Sequence, residues 1–152
     1  GTIEVWRLNG RTVSTAVPPA ATGRLTPKTA ADIVVAAPWV RERLEKPGVK
    51  LLDVRSDRER ANGYLPGSTL VIWRDLFSDP DRAVFKSRDE IRALLTKAGV
   101  GPADQVVTYC AIAMRASLMY FAARYAGFPA RVYVGSFDDW QRQSGYPIVR
   151  RH

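Results

Sequence analysis

A single cysteine, Cys110, and a single histidine, His152, are the only thiol and the only imidazole in this 152-residue chain. One thiol excludes an internal disulfide and a metal site built of cysteines alone. The histidine is the last residue and is expected to fray in solvent. A Cys–His protease, a Ser–His–Asp triad or a histidine-ligated zinc would each have to recruit that end residue, which argues against all three. Long apolar runs are also missing. No stretch approaches the roughly 20 residues needed to cross a bilayer, so no membrane partner is expected. No signal peptide is visible. The chain begins at Gly1 rather than methionine, so that lack leaves the compartment open between cytoplasm and periplasm. A basic run interleaved with aromatics is absent too. The formal charge is +8, but the basic residues are dispersed and no nucleic-acid motif appears. The charge predicts attraction for small anions or acidic partners; a solvated basic surface explains it equally well.

What remains is a globular balance, 46% apolar and 25% charged, long enough for one domain with a real core. The chain is organised around residues 106–117. Val106 to Tyr109 reads as a buried strand. Leu118 to Tyr125 reads as a helix with Leu118, Phe121, Ala122 and Tyr125 along one side. Between them lies a tight loop that Cys110 opens and Arg115 closes. A strand that enters a helix this way aims backbone N–H groups at the loop's centre, and the helix N-terminus adds about half a positive charge. The dipole and Arg115 both favour a thiolate. A lone cysteine is more often an inert core residue; the strand–loop–helix setting and the arginine turn the reading toward an activated sulfur nucleophile in an anion cradle.

The rest alternates in the same way. Residues 1–26 look peripheral: Ile3 to Trp6 predicts a short strand, and Thr15 to Thr26, with Pro18, Pro19 and Gly23, reads as a linker. Trp6 to Val13 faintly echoes Trp140 to Val149, each with a tryptophan, a polar stretch, a glycine and a valine. Ile33 to Ala36 predicts a strand, and Pro38 opens a helix striped by Trp39, Val40 and Leu44. Val49 to Val54 predicts a central strand, Asp57 to Ala61 a short helix, residues 63–68 a glycine–proline loop and Leu70 to Ile72 another strand. Ser78 to Lys86 reads as polar and mobile. Ser87 and Glu90 have capping-box spacing ahead of a helix ended by Gly99. Arg131 to Val134 predicts the last strand, and Gly135-Ser136 leads into a helix carrying Phe137 and Trp140, with Asp138 and Asp139 expected as its caps. Alternating short strands and helices imply an α/β domain with a mostly parallel sheet. Ligands bind such sheets beyond the carboxyl ends of the strands, which draws Arg55, Cys110 and Gly135-Ser136 together.

Four stretches, in order, carry a family resemblance: Leu51-Leu52-Asp53-Val54-Arg55; Gly63-Tyr64-Leu65-Pro66-Gly67-Ser68; Tyr109-Cys110 through Arg115-Ala116-Ser117; and Val134-Gly135-Ser136-Phe137-Asp138-Asp139-Trp140. Together they resemble a rhodanese domain, the fold of thiosulfate and 3-mercaptopyruvate sulfurtransferases, across about Ala31 to Ile148. The resemblance implies a three-layer domain with a mostly parallel sheet of about five strands and helices on both faces, spanning residues 27–152. It also implies that residues 1–26 are a linker or the tail of a preceding, similar domain. Cys110 would take a sulfane sulfur from a small anionic donor such as thiosulfate, become a persulfide, and pass the sulfur to cyanide, a thiol or a protein acceptor, without a cofactor. Ala111, Ile112, Ala113, Met114 and Arg115 would line the substrate, and Arg55 would contact the donor or the loop, with a structural ion pair to Glu59 as the plain alternative. Four residues separate Cys110 from Arg115. Phosphatases of this fold enclose one more, so a phosphatase-like or arsenate-reductase-like enzyme is disfavoured. A persulfide-relay module serving partner proteins is the main alternative. Ala111 and Ile112 are neutral where thiosulfate-preferring members carry basic residues, Ala113 stands where glycine is common, and Tyr64 replaces a histidine. These departures point away from thiosulfate as the best donor.

Overall fold

The computed structural model describes residues 3–20, 22–27 and 32–150. His152 lies outside them. In chain order the elements are helix α1 (Ile3–Leu8), strand β1 (Val34–Val35), α2 (Ala37–Arg41), β2 (Val49–Asp53), α3 (Asp57–Ala61), β3 (Thr69–Leu70), a 3₁₀ turn (Trp73–Leu76), β4 (Phe77–Asp79), β5 (Val84–Phe85), α4 (Arg88–Lys97), β6 (Gln105–Tyr109), α5 (Met114–Tyr125), β7 (Ala130–Tyr133) and α6 (Ser136–Trp140). Five strands form one sheet in the order β1-β7-β6-β2-β3. Every neighbouring pair in it is parallel.

The pleat sends successive side chains to opposite faces, and both faces are buried, so the central strands are nearly all apolar. Leu52 and Val106 go to one side and pack with Ile91 and Leu95 of α4 and Met119, Ala122 and Ala123 of α5. Leu51, Val107 and Tyr109 go to the other, against Val40 of α2 and Trp140 of α6. This is the three-layer α/β architecture expected from the sequence. Ser56 and Ser87 each accept from the backbone three residues on, while Glu59 and Glu90 reach back to close two capping boxes. Pro38 stands in the first turn of α2.

Three local expectations are corrected. Ile3 to Trp6 is helical, not extended. Among the described residues this segment pairs with no strand, and Glu4 and Arg7 suit the two ends of the helix dipole. Residues 78–86 are not simply mobile and polar: β4 and β5 pair antiparallel. Phe77 meets Phe85 edge to face at 5.6 Å, and Phe85 reaches Phe121 at 5.8 Å, so aromatic packing orders a segment whose intervening residues are polar. Asp138 and Asp139 do not cap α6; Gly135 is the N-cap, and Asp139 instead accepts from the Tyr133 hydroxyl at 2.6 Å.

Among the described residues, no helix is long and apolar enough to cross a membrane.

Candidate active site

Parallel pairing aligns the carboxyl ends of β2 and β6, with Asp53 opposite Tyr109 and Val54 N–H donating to the Tyr109 carbonyl at 3.0 Å. Cys110 leaves β6 at that end. Its own N–H donates to Ser136 Oγ (3.2 Å), and its carbonyl and that of Ala111 accept from Phe137 N–H (2.9 Å) and Asp138 N–H (3.1 Å). Because trans peptides point C=O and N–H in opposite directions, these bonds turn the amides of Ala111 and Ile112 away from α6. Among the described residues, the N–H groups from Ala111 to Arg115 donate to no protein acceptor. They are the free donors of a loop that runs into the twelve-residue helix α5. Ala113 makes the turn with φ of 72°, a left-handed conformation that costs a residue other than glycine about 1 kcal/mol. Ser136, also with positive φ (56°), anchors the opposite wall by donating to the Tyr133 carbonyl at 3.0 Å.

Cys110 itself is 0% exposed and packs into the core beneath the loop. The thiol is covered, which the sequence did not announce. Arg115, in the first turn of α5 and partly exposed, interacts with the thiol. Its guanidinium is held by a two-pronged pair to Glu59, Nη1 to Oε2 at 2.8 Å and Nη2 to Oε1 at 2.6 Å. Glu59 Oε2 also accepts from the Ser56 N–H and hydroxyl. These donors, Arg115 foremost, hold the Glu59 carboxyl down to about 2, and Glu59 in turn raises Arg115. One carboxylate thus caps α3 and clamps the arginine beside the sulfur.

Arg55 makes a structural ion pair, as its plain alternative had it, but with another partner. Its ion-pair partner is Asp53, not Glu59, with Nε and Nη2 on the two carboxylate oxygens at 2.9 and 2.7 Å; Nη2 also donates to the Gly63 carbonyl. The guanidinium lies over the Phe137 ring at 4.2 Å. It borders a small hollow with Glu59, Ala111 and Asp138, so it adjoins the loop while its charge is committed to Asp53. A larger hollow of about 510 Å³ opens on the other side of the loop, lined by Trp73, Ala111, Ile112, Met114, Arg115 and Leu118. Four of the six predicted substrate-lining residues share that wall. Ala113 is set back in the turn, and Met114 faces solvent, 74% exposed. Trp73 both packs on the core and lines the hollow.

Sequence reasoning did not assign Glu59 to Arg115 or Ser136 to the Cys110 amide. The Ser56–Glu59 capping-box spacing was the signal that could have placed the carboxylate, but nothing in the sequence said that α5 would bring Arg115 to it.

The Rhodanese-like domain family matches residues 36–143. The chain belongs to that family. It is similar to the sulfur carrier protein TtuD of Thermus thermophilus, 36% identical over 90 residues, which cover 58% of this chain and 31% of that protein. It is also similar to a putative thiosulfate sulfurtransferase of Haloferax volcanii, 28% identical over 126 residues, covering 72% of this chain and 43% of the relative. The chain thus spans less than half the length of these relatives. The anaerobic ergothioneine biosynthesis enzyme of Chlorobium limicola shares the fold with a TM-score of 0.84 at 20% identity, over 97% of this rhodanese-like chain and 39% of the enzyme.

Proposed function

We propose that this rhodanese-like domain is a sulfurtransferase. Cys110 attacks the outer sulfur of a donor, a sulfur–sulfur bond forms as the donor's own breaks, and a thiophilic acceptor then removes the sulfur from the persulfide. The observation that carries this reading is the loop from Ala111 to Arg115, whose free N–H groups and helix N-terminus meet the end of the strand that bears the sole thiol. Donors fixed in advance stabilise a persulfide anion without reorganisation. Arg115 acts as a brace beside the sulfur and Arg55, over the Phe137 ring, as a support. The full burial of Cys110 means that the loop and Arg115 shift aside to admit donor and acceptor. Incubation with thiosulfate is expected to add about 32 Da, one sulfur atom, and cyanide to remove it. No adduct from any donor would refute the reading. An adduct only from a persulfidated protein would favour the relay role, the second reading, which the similarity to a sulfur carrier protein supports.

Glu59 gives a pH test of the clamp. Its carboxyl is held down to about 2, so its contribution to stability is present above the ordinary carboxylate range and is lost as pH falls toward 2. Glutamine still serves in a capping box. Wild type is therefore expected to melt above Glu59→Gln at pH 6, with the gap closing toward pH 2. A gap independent of pH would show that the charge on Glu59 is immaterial.

We also propose that residues 1–26 are the tail of a preceding, similar domain plus a linker. Trp6 of α1 donates its indole N–H to the Thr12 carbonyl at 2.9 Å, with Gly10 in the left-handed region and Arg11 over the indole. Trp140 of α6 donates to the Pro147 carbonyl at 2.9 Å, with Gly145 left-handed and Tyr146 against the indole. The same device closes both segments. Ile3, Trp6 and Leu8 are exposed, as a helix taken from such a core would be.

A further inference from the structure

We infer that this site takes its sulfur from a donor with one negative charge and an apolar organic body, an aryl thiosulfonate being the test case, in preference to the thiosulfate dianion. The inference rests on the sulfur-transfer reading above. Its basis is the 510 Å³ hollow beside the cysteine loop. Trp73, Ala111, Ile112, Met114 and Leu118 form apolar walls, and Arg115 is the one charged residue among its lining. Pockets that hold organic ligands run from about 300 to 1,000 Å³, so the space suits an aromatic body. Ile112 and Met114 are 62% and 74% exposed at its mouth, apolar surface that none of the described residues covers. Beyond Leu118, a second hollow of about 730 Å³ continues between Phe85, Phe121 and Tyr125.

Charge points the same way. Of the two arginines that border the loop, Arg115 is paired with Glu59, and Arg55, which shares Asp53 with Arg60, is not among the hollow's lining residues. Arg74 lies over the Trp73 ring at 5.4 Å but is not part of the hollow's lining. A single negative charge is met by the loop amides and the N-terminus of α5. A second one would be stripped of water with no unpaired cation among the described lining residues to receive it, a cost that an apolar body avoids while it covers the tryptophan and leucine walls.

The step balances. The Cys110 thiolate attacks the terminal sulfur of R–SO₂–S⁻; the Cys–S bond forms, the S–SO₂R bond breaks, and its electron pair leaves on the sulfinate R–SO₂⁻. Cyanide then takes the sulfur as thiocyanate and returns the thiolate.

The experiment measures kcat/KM for transfer to cyanide from thiosulfate, methanethiosulfonate and benzenethiosulfonate. Each value is divided by the rate at which free cysteine takes sulfur from the same donor, which removes leaving-group differences. The expected order is benzenethiosulfonate, then methanethiosulfonate, then thiosulfate, with about tenfold between the first and last. Ile112→Lys, a change at an exposed position, is expected to raise the thiosulfate value several-fold and narrow that ratio. Normalised thiosulfate values equal to or above those of benzenethiosulfonate, with persulfide formed from both, overturn the inference and leave sulfur transfer standing. Persulfide from none of the three overturns both.

Discussion

Cys110→Ser is expected to abolish sulfur transfer, by about a thousandfold or more, and to leave the protein folded. A serine oxygen cannot hold a sulfane sulfur in exchange, and no second thiol exists in the chain to take over. The substitution is nearly isosteric, and Arg115, which interacts with the thiol, offers the buried hydroxyl a partner. The backbone bonds at this position, the N–H to Ser136 and the carbonyl to Phe137, survive the substitution. Mass spectrometry after exposure to a donor reads the first half of the prediction, and thermal melting reads the second. A sulfur adduct on the serine variant would move the chemistry elsewhere. A collapse of the melting temperature would mean that the buried thiol is chiefly a core residue, the plain reading of a lone cysteine.

Asp53→Ala is expected to cost about 3–5 kcal/mol, a large share of the 5–15 kcal/mol that holds a typical domain together. Asp53 is 0% exposed and is the hub of the strand ends. It accepts from the Arg55 backbone N–H, from Arg55 Nε and Nη2, from Arg60 Nη1 at 3.1 Å and from the Tyr109 hydroxyl at 2.9 Å. Removing it leaves two buried guanidinium groups without their carboxylate and a buried phenol without one of its partners, and stranded charge is what makes such a loss expensive. Burial and the Asp53 charge push the Tyr109 phenol well above its usual range, so in the intact cluster it is the neutral donor of its bond to Asp53. Urea unfolding would measure the loss. A change under about 1 kcal/mol would show that the arginines find water or other acceptors. Because Arg55 and Tyr109 also brace Gly63 and Leu65, the same variant should loosen the glycine–proline loop beside the site.

The two substitutions separate what was legible in the chain from what was not. Periodicity gave the alternation of strands and helices, since a buried parallel strand and an amphipathic helix differ in their repeat over a handful of residues. Cap spacing fixed the start of α4, because that chemistry is local. Four short motifs marked the family and pointed to Cys110. The failures are also local in kind. Phe77 and Phe85 are separated by polar residues, and only their contact with each other and with Phe121 makes a hairpin of them. Asp139 looked like a cap because its partner, the Tyr133 hydroxyl, comes from the preceding strand.

By itself, then, the sequence determined which atom is the candidate sulfur carrier and which turn places it at the end of a parallel strand, because cysteine, loop length and helix start all lie within a few consecutive residues. Tertiary structure alone decided that the thiol is roofed over, that Arg115 belongs to Glu59 and Arg55 to Asp53, and that the approach is apolar. Those outcomes depend on side chains far apart in the chain, Glu59 with Arg115 and Trp73 with Leu118, and on how the pairing of charges in a low-dielectric interior is shared out among them.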